Sequence, residues 1–290
     1  MKEMKEKTQA TEPVLESLVE KAKEGDKDAL EDLVRRIQDR IYGLAIRMLY
    51  HPADAEDATQ EILIKIITHL DGFRGESSFA TWVYRVASNH LITTHKRRAE
   101  RWELTFDKYG QGIDEGLSEA GPEPFSGVEE ALILKEVRLA CMQGMLLCLK
   151  REIRLVFILG DIFEVTSTEG SQILDITPEA FRQRLSRGRK QIRGFMVKKC
   201  SLVNPANPCH CAQQVAHDIK IRLIDPENLL FANRPCHARQ NGTAIKLLKE
   251  ISELGRVAAL FRSHPDYAAP GAFVEIVRKL VDSREFQLFK

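Results

Sequence analysis

The chain has 290 residues, with 43 lysines and arginines against 42 aspartates and glutamates, so its net charge is close to zero. That length suits two or three domains, and the charge balance excludes a uniformly basic nucleic-acid binder: any such role must concentrate its cations locally. No stretch approaches the roughly 20 apolar residues of a membrane span, and the start MKEMKEKTQATEP lacks a signal-peptide apolar run, so a cytoplasmic protein is expected.

Val14, Leu15, Leu18 and Val19 predict a short leading helix that stops near Gly25. Asp26 or Asp28 then caps a longer helix whose Leu30, Leu33, Val34, Ile37, Ile41, Leu44, Ala45 and Met48 keep the helical period. Past Pro52, Asp54 is the expected cap of the next helix. Ala58, Ile62, Leu63, Ile66, Ile67 and Leu70 form its buried stripe, and Glu56, Asp57, Gln60 and Glu61 share an acidic face. After Asp71-Gly72 the loop Phe73 to Ser78 carries Arg74 and leads into an aromatic helix. There Phe79, Trp82, Val83 and Val86 read as core, and Arg85, Asn89 and His90 point elsewhere. His95-Lys96-Arg97-Arg98 follow, and exposed Arg and Asn on a helix ending in cations suit phosphate contact and base stacking.

Charge then changes sign by segment. Glu103 to Glu130 holds eight acids and a single lysine, whereas Thr177 to Lys199 holds eight cations and a single acid. The acidic, Gly- and Pro-rich stretch from about 105 to 127 reads as a mobile linker. Helix resumes over 128–149, where Cys141 and Cys148 read as packing residues, and residues 151–164 supply another apolar helix. Thr166 to Leu174 predicts a short helix, Asp175-Ile176 a tight turn, and Thr177-Pro178 a cap and first helical position. The helix that follows buries Phe181, Leu185 and Ile192, and presents Arg182, Gln183, Arg184, Arg187, Arg189 and Lys190. This is a helix-turn-helix pattern: residues near the second helix's start address base edges, and the later cations hold phosphates. Gly170 and Gly188 lie inside its helices, each costing about 1 kcal/mol relative to alanine.

Together, AEDATQE, FRGESSFATWVYRVASNHL and KRR resemble region two of bacterial RNA polymerase sigma factors of the extracytoplasmic-function group, and TPEAFRQRLSRGR is similar to their region four. The resemblance implies an all-α fold: region two over 25–104, the acidic linker over 105–127 and region four over 128–199, preceded by a tail and short helix over 1–24. It implies that Glu56, Asp57, Gln60 and Glu61 dock on the clamp helices of the polymerase's largest subunit. Arg74, Arg85, Asn89, Lys96, Arg97 and Arg98 would meet the −10 element of promoter DNA, and Thr177, Arg182, Gln183, Arg184, Arg187, Arg189 and Lys190 the −35 element. Such a factor directs core polymerase to promoters and needs no cofactor for that role. No HExxH, nucleophile elbow or phosphate loop is visible, and no catalytic residue is expected. A stand-alone helix-turn-helix regulator is the alternative, but it has no use for the acidic helix and aromatic helix together.

Residues 200–290 continue beyond the compact sigma pattern. Cys200, Cys209 and Cys211, with Cys236, His237 or His210 completing the set, could form a tetrahedral zinc site, the open alternatives being a redox sensor and unmetallated thiols. Apolar residues at helical spacing from Ile245 to Phe261 and from Val274 to Val281 predict a folded helical extension. It resembles extensions thought to regulate the sigma module in cis; a separate anti-sigma factor is the other expected route of control.

Overall fold

In the computed structural model, residues 14–94, 98–119, 127–234, 236–237 and 253–282 are described. They are helical almost throughout. A short α1 over residues 14–23 is followed by α2 (Lys27–Leu49), α3 (Pro52–Thr68), α4 (Phe79–Thr93), α5 (Phe106–Ser118) and α6 (Gly127–Leu147). Next come α7 (Arg151–Phe157), a π-helical turn (Ile158–Ile162), α8 (Ser167–Leu174), α9 (Pro178–Lys199) and α10 (Cys211–Lys220). Helices α11 (Glu253–Arg262) and α12 (Ala272–Asp282) close the order. The one ladder among the described residues pairs β1 (Cys236–His237) antiparallel with β2 (Asp266–Tyr267). Among the described residues, no helix is long and apolar enough to cross a membrane.

Helix α2 is the hub. Asp26 caps it by accepting the Ala29 N–H at 3.0 Å, and its predicted stripe is buried along its whole length. It packs on α3 and α4 on one side, and on α6, α7 and α12 on others. One apolar core therefore runs from Leu15 to Val277, so the last third of the chain is built into the same interior as the first. A second, smaller cluster joins Ile133 and Val137 of α6 to Val215, Ile224, Leu229 and Ala232.

Two expectations are corrected. Asp54 does not cap α3: the helix starts two residues earlier, at Pro52, where a missing N–H costs nothing. Asp54 then lies in the first turn, 3% exposed, and accepts the Arg98 backbone N–H at 3.1 Å. Nor is the whole 105–127 stretch a loop, because Phe106–Ser118 forms α5, capped by Thr105 on the Lys108 N–H at 3.2 Å. Residues 120–126 lie outside the described residues.

In the helix-turn-helix the predicted caps are present. Thr166 and Glu169 form a capping box at the start of α8, and Thr177 accepts the Ala180 N–H at 3.1 Å at the start of α9. Asp175 takes the left-handed conformation, φ 52°, that ends α8, a role open to Asp as well as Gly. Gly170 is no weak point: a Cβ there would lie 2.2 Å from the Phe181 ring, so its absence lets α8 approach α9.

Candidate polymerase and promoter interfaces

The acidic face of α3 forms as expected, with Asp57 and Glu61 exposed and Glu56 and Gln60 half-buried. Glu56, however, is already engaged. The Arg234 guanidinium, far along the chain, donates to Glu56 Oε1 at 2.7 Å and to the Tyr42 hydroxyl at 2.8 Å. Glu61 Oε2 stands 3.4 Å from His90 Nε2. His90 itself is buried against Lys65, whose Nζ is 2.8 Å from its Nδ1, instead of pointing away from the core.

Along α4, Phe79 and Val83 are buried, and Trp82 packs half-buried against Phe73 and Phe79. Arg85 and Asn89 are exposed on the other side. Arg85 donates from Nε and Nη2 to the Gln172 carbonyl at 2.8 and 2.6 Å, so the end of α8 caps this helix's cationic face. Arg74 is exposed in the loop before α4, next to Gly75 at φ 73°. Arg98 holds its Nε 3.5 Å from Asp54; Lys96 and Arg97 lie outside the described residues.

On α9, Arg182, Gln183, Arg187, Arg189 and Lys190 are exposed and Arg184 is half-buried beside Lys150 and Glu152, bordering a small surface groove. Two of these cations carry ion pairs. Arg182 bonds Glu179 at 2.6 Å and holds that exposed carboxyl below its usual range. Arg189 clamps the buried Asp161 through Nε at 3.0 Å and Nη2 at 2.6 Å, bonds that raise the guanidinium's pKa.

The three described thiols of the expected metal set line one cavity. Cys200 and Cys209 sit on adjacent backbone strands joined by a bridge, and the Ser201 N–H donates to the Cys209 carbonyl at 3.2 Å. Burial raises the Cys200 thiol, and pushes Cys209 up to about 12. Among the described residues no three His, Cys, Asp or Glu side chains are grouped to hold a metal ion, and the Cys236 side chain lies outside the described ones. The fourth thiol that lines the same space is Cys141 of α6.

Other charged residues went unnoticed in the sequence. Glu100 accepts from both Arg151 and Arg154. Burial drives its carboxyl up, yet the two guanidiniums together hold it below its ordinary value. Arg154, 4% exposed, also donates to the carbonyls of Met48, Leu146, Leu147 and Leu149. It thus satisfies the open C-terminal ends of α2 and α6 at once. Glu136, 2% exposed, accepts the N–H groups of Leu230, Phe231 and Ala232 at 2.6 to 3.2 Å. Arg47, 1% exposed, donates to the Pro265 carbonyl at 2.9 Å and lies over the rings of Phe163 and Tyr267. Their signal was a lone charge on an apolar stripe, as Glu136 is beside Ile133 and Val137.

Comparison with known proteins agrees with this arrangement. The family model for sigma-70 region 2 matches residues 33–101, spanning α2 to α4. The extracytoplasmic-function sigma factor SigW of Bacillus subtilis is 32% identical over 184 residues, 63% of this chain and 96% of that protein. The sigma-E factor of Escherichia coli K12 is 30% identical over 181 residues, 60% of this chain and 90% of its own. The sigma-H factor of Pseudomonas aeruginosa is 41% identical over a shorter 86 residues, 28% of this chain and 45% of that protein. Nearly the whole of SigW thus finds its counterpart here, while more than a third of this chain has none in it. The chain belongs to the extracytoplasmic-function RNA polymerase sigma factors of the sigma-70 family, non-enzymatic initiation factors that direct RNA polymerase to promoters.

Proposed function

We propose that this sigma factor is held in a closed form by its own C-terminal third, and that opening it is the regulated step of promoter recognition. In this reading residues 25–104 act as region two, 128–199 as region four and 200–290 as a regulatory extension working in the cytoplasm. Asp57, Gln60 and Glu61, with Glu56, meet core polymerase. Arg74, Arg85, Asn89 and Arg98, together with Lys96 and Arg97, serve the −10 element. Thr177, Arg182, Gln183, Arg184, Arg187, Arg189 and Lys190 serve the −35 element. No metal is assigned, and a separate anti-sigma factor is not needed for the closed form.

The observation that carries the reading is Arg234 on Glu56. A cation from the extension neutralises one corner of the acidic face, and hydrogen bonds to Tyr42 hold it there. Further contacts fasten the extension: Arg278 to Glu31 at 2.6 Å, the Ala269 N–H to Asp39 at 2.8 Å, and Arg262 to the Asp161 carbonyl at 2.8 Å. Because Phe231, Phe261 and Tyr267 belong to the main core, cutting the chain after Lys199 would strip the interior as well as the latch. Arg234→Ala is the cleaner test. A half-exposed pair of this kind contributes under about 1 kcal/mol to stability, so the fold survives its loss. Binding of Arg234→Ala to core polymerase, and run-off transcription from a promoter it recognises, should rise several-fold over the native chain. Equal affinity and equal transcription would sink the closed-form reading.

A further inference from the structure

Where α5, α6, α9 and α10 meet there is a cavity of about 230 Å³. Its walls are largely apolar and aromatic, with Tyr50, Trp102, Tyr109 and Phe195 among them. Into it faces Asp218 of α10, 9% exposed, whose carboxylate has no hydrogen-bond or ion-pair partner among the described residues. Beside it, the Tyr50 hydroxyl is buried and also without a partner. Three other polar groups around this space are occupied. The Tyr109 hydroxyl donates to the Cys141 carbonyl at 3.0 Å, Lys199 is clamped by both oxygens of Asp114 at 2.6 Å, and His217 Nδ1 is 3.1 Å from Glu119. Lys108 lines the mouth from the exposed side of α5. Burial, opposed in part by His217, has pushed the Asp218 carboxyl up to about 6, and burial first, with a smaller contribution from the Asp218 charge, raises the Tyr50, Tyr109 and Cys209 groups around it. A buried carboxylate without a counter-ion is costly, and aromatic walls favour a cation over their faces.

We infer that this cavity is a binding site for a small lipophilic ammonium, with Asp218 as counter-ion, the Tyr50 oxygen as second acceptor and the aromatic walls around the apolar body. The space exceeds the roughly 150 Å³ that holds benzene in an apolar cavity, so a ligand of about a dozen heavy atoms fits. Its walls come from α5, α6, α9 and α10 together, so the occupant would touch the extension and the rest of the molecule at once. The site stands independently of Arg234, which lies elsewhere on the chain.

The test is calorimetric titration of the full chain with three matched probes: 2-phenylethylammonium, the neutral 2-phenylethanol and the anionic 3-phenylpropionate. The ammonium should bind at least tenfold more tightly than the alcohol, and the anion should not bind. Asp218→Asn should erase the ammonium's advantage while leaving the alcohol's affinity unchanged. Gly112→Phe should block both: Gly112 lines the cavity, and a Cβ there meets nothing within 4 Å, so the backbone is not strained. Equal binding of ammonium and alcohol, no binding of either, or an Asp218→Asn chain that keeps the tenfold preference would each overturn the assignment.

Discussion

Helices α4 and α9 carry the two sets of side chains proposed above to meet DNA, and they are presented very differently. On α9, Gln183, Arg187 and Lys190 stand open to solvent, while α4 has its Arg85 tied to the carbonyl end of α8. The element that supports one reading helix therefore covers the other. Under the proposed assignment, α9 is open to duplex in this arrangement while Arg85 of α4 is engaged within the chain. Salt bridges on α9 refine the point, since Arg189 is committed to Asp161 and Arg182 to Glu179, whereas Arg187 and Lys190 are exposed and are the phosphate contacts the proposal favours.

The largest break in this contrast should come from Arg154→Ala. Removing it leaves the carbonyl ends of α2 and α6 buried without their donor and Glu100 with Arg151 alone, a loss of about 3–5 kcal/mol for a buried pair cut on one side. Urea unfolding should show it, and a change under 1 kcal/mol would contradict the role given to Arg154. Next is Gly170→Ala, where overpacking against Phe181 should cost about 1–3 kcal/mol despite alanine's better helix propensity. Because α8 also covers α4, its displacement should raise protection-sensitive labelling of Arg85. Arg187→Ala should weaken binding to −35 duplex and lower the slope of log affinity against log salt by about one contact, whereas Arg85→Ala should leave that slope unchanged in the closed chain. The smallest effect is in acid. Glu100 has a folded-state pKa below its ordinary 4.5, so its contribution is fully present above that value and is lost as pH falls through the lower folded one. A Glu100→Gln chain should show a flatter stability profile below pH 4.5 than the native one.

Much of this was written in local patterns. The α2 stripe, the Asp26 cap, the acidic face of α3 and the Thr177-Pro178 start of α9 all depend on neighbours within a turn or two, and these the sequence displays. What stayed hidden depends on partners far away. Glycines in 105–127 were read as slack, but in α5 Gly110 and Gly116 are clearances: a Cβ on Gly116 would fall 2.2 Å from the Gln214 side chain and one on Gly110 3.3 Å from Phe195. Beneath the acids, Phe106, Tyr109 and Ile113 still keep a helical period. Asp54 was read as a cap because it precedes an apolar run, and only the fold brings the Arg98 N–H to it. The surroundings of the cysteines were hidden for a similar reason: Cys200, Cys209 and Cys211 are close in sequence, but only the fold lines one apolar cavity with them and with Cys141. No local signal links Arg234 to Glu56, 178 positions away.

Glu136 grips the extension through three consecutive backbone N–H groups and not through side chains. Such an anchor is indifferent to most replacements at Leu230 and Ala232, because every residue but proline offers the same donor. Over evolutionary drift the strap could change its lettering freely while staying attached, whereas a proline at either position, or loss of the single acid, would undo it in one step.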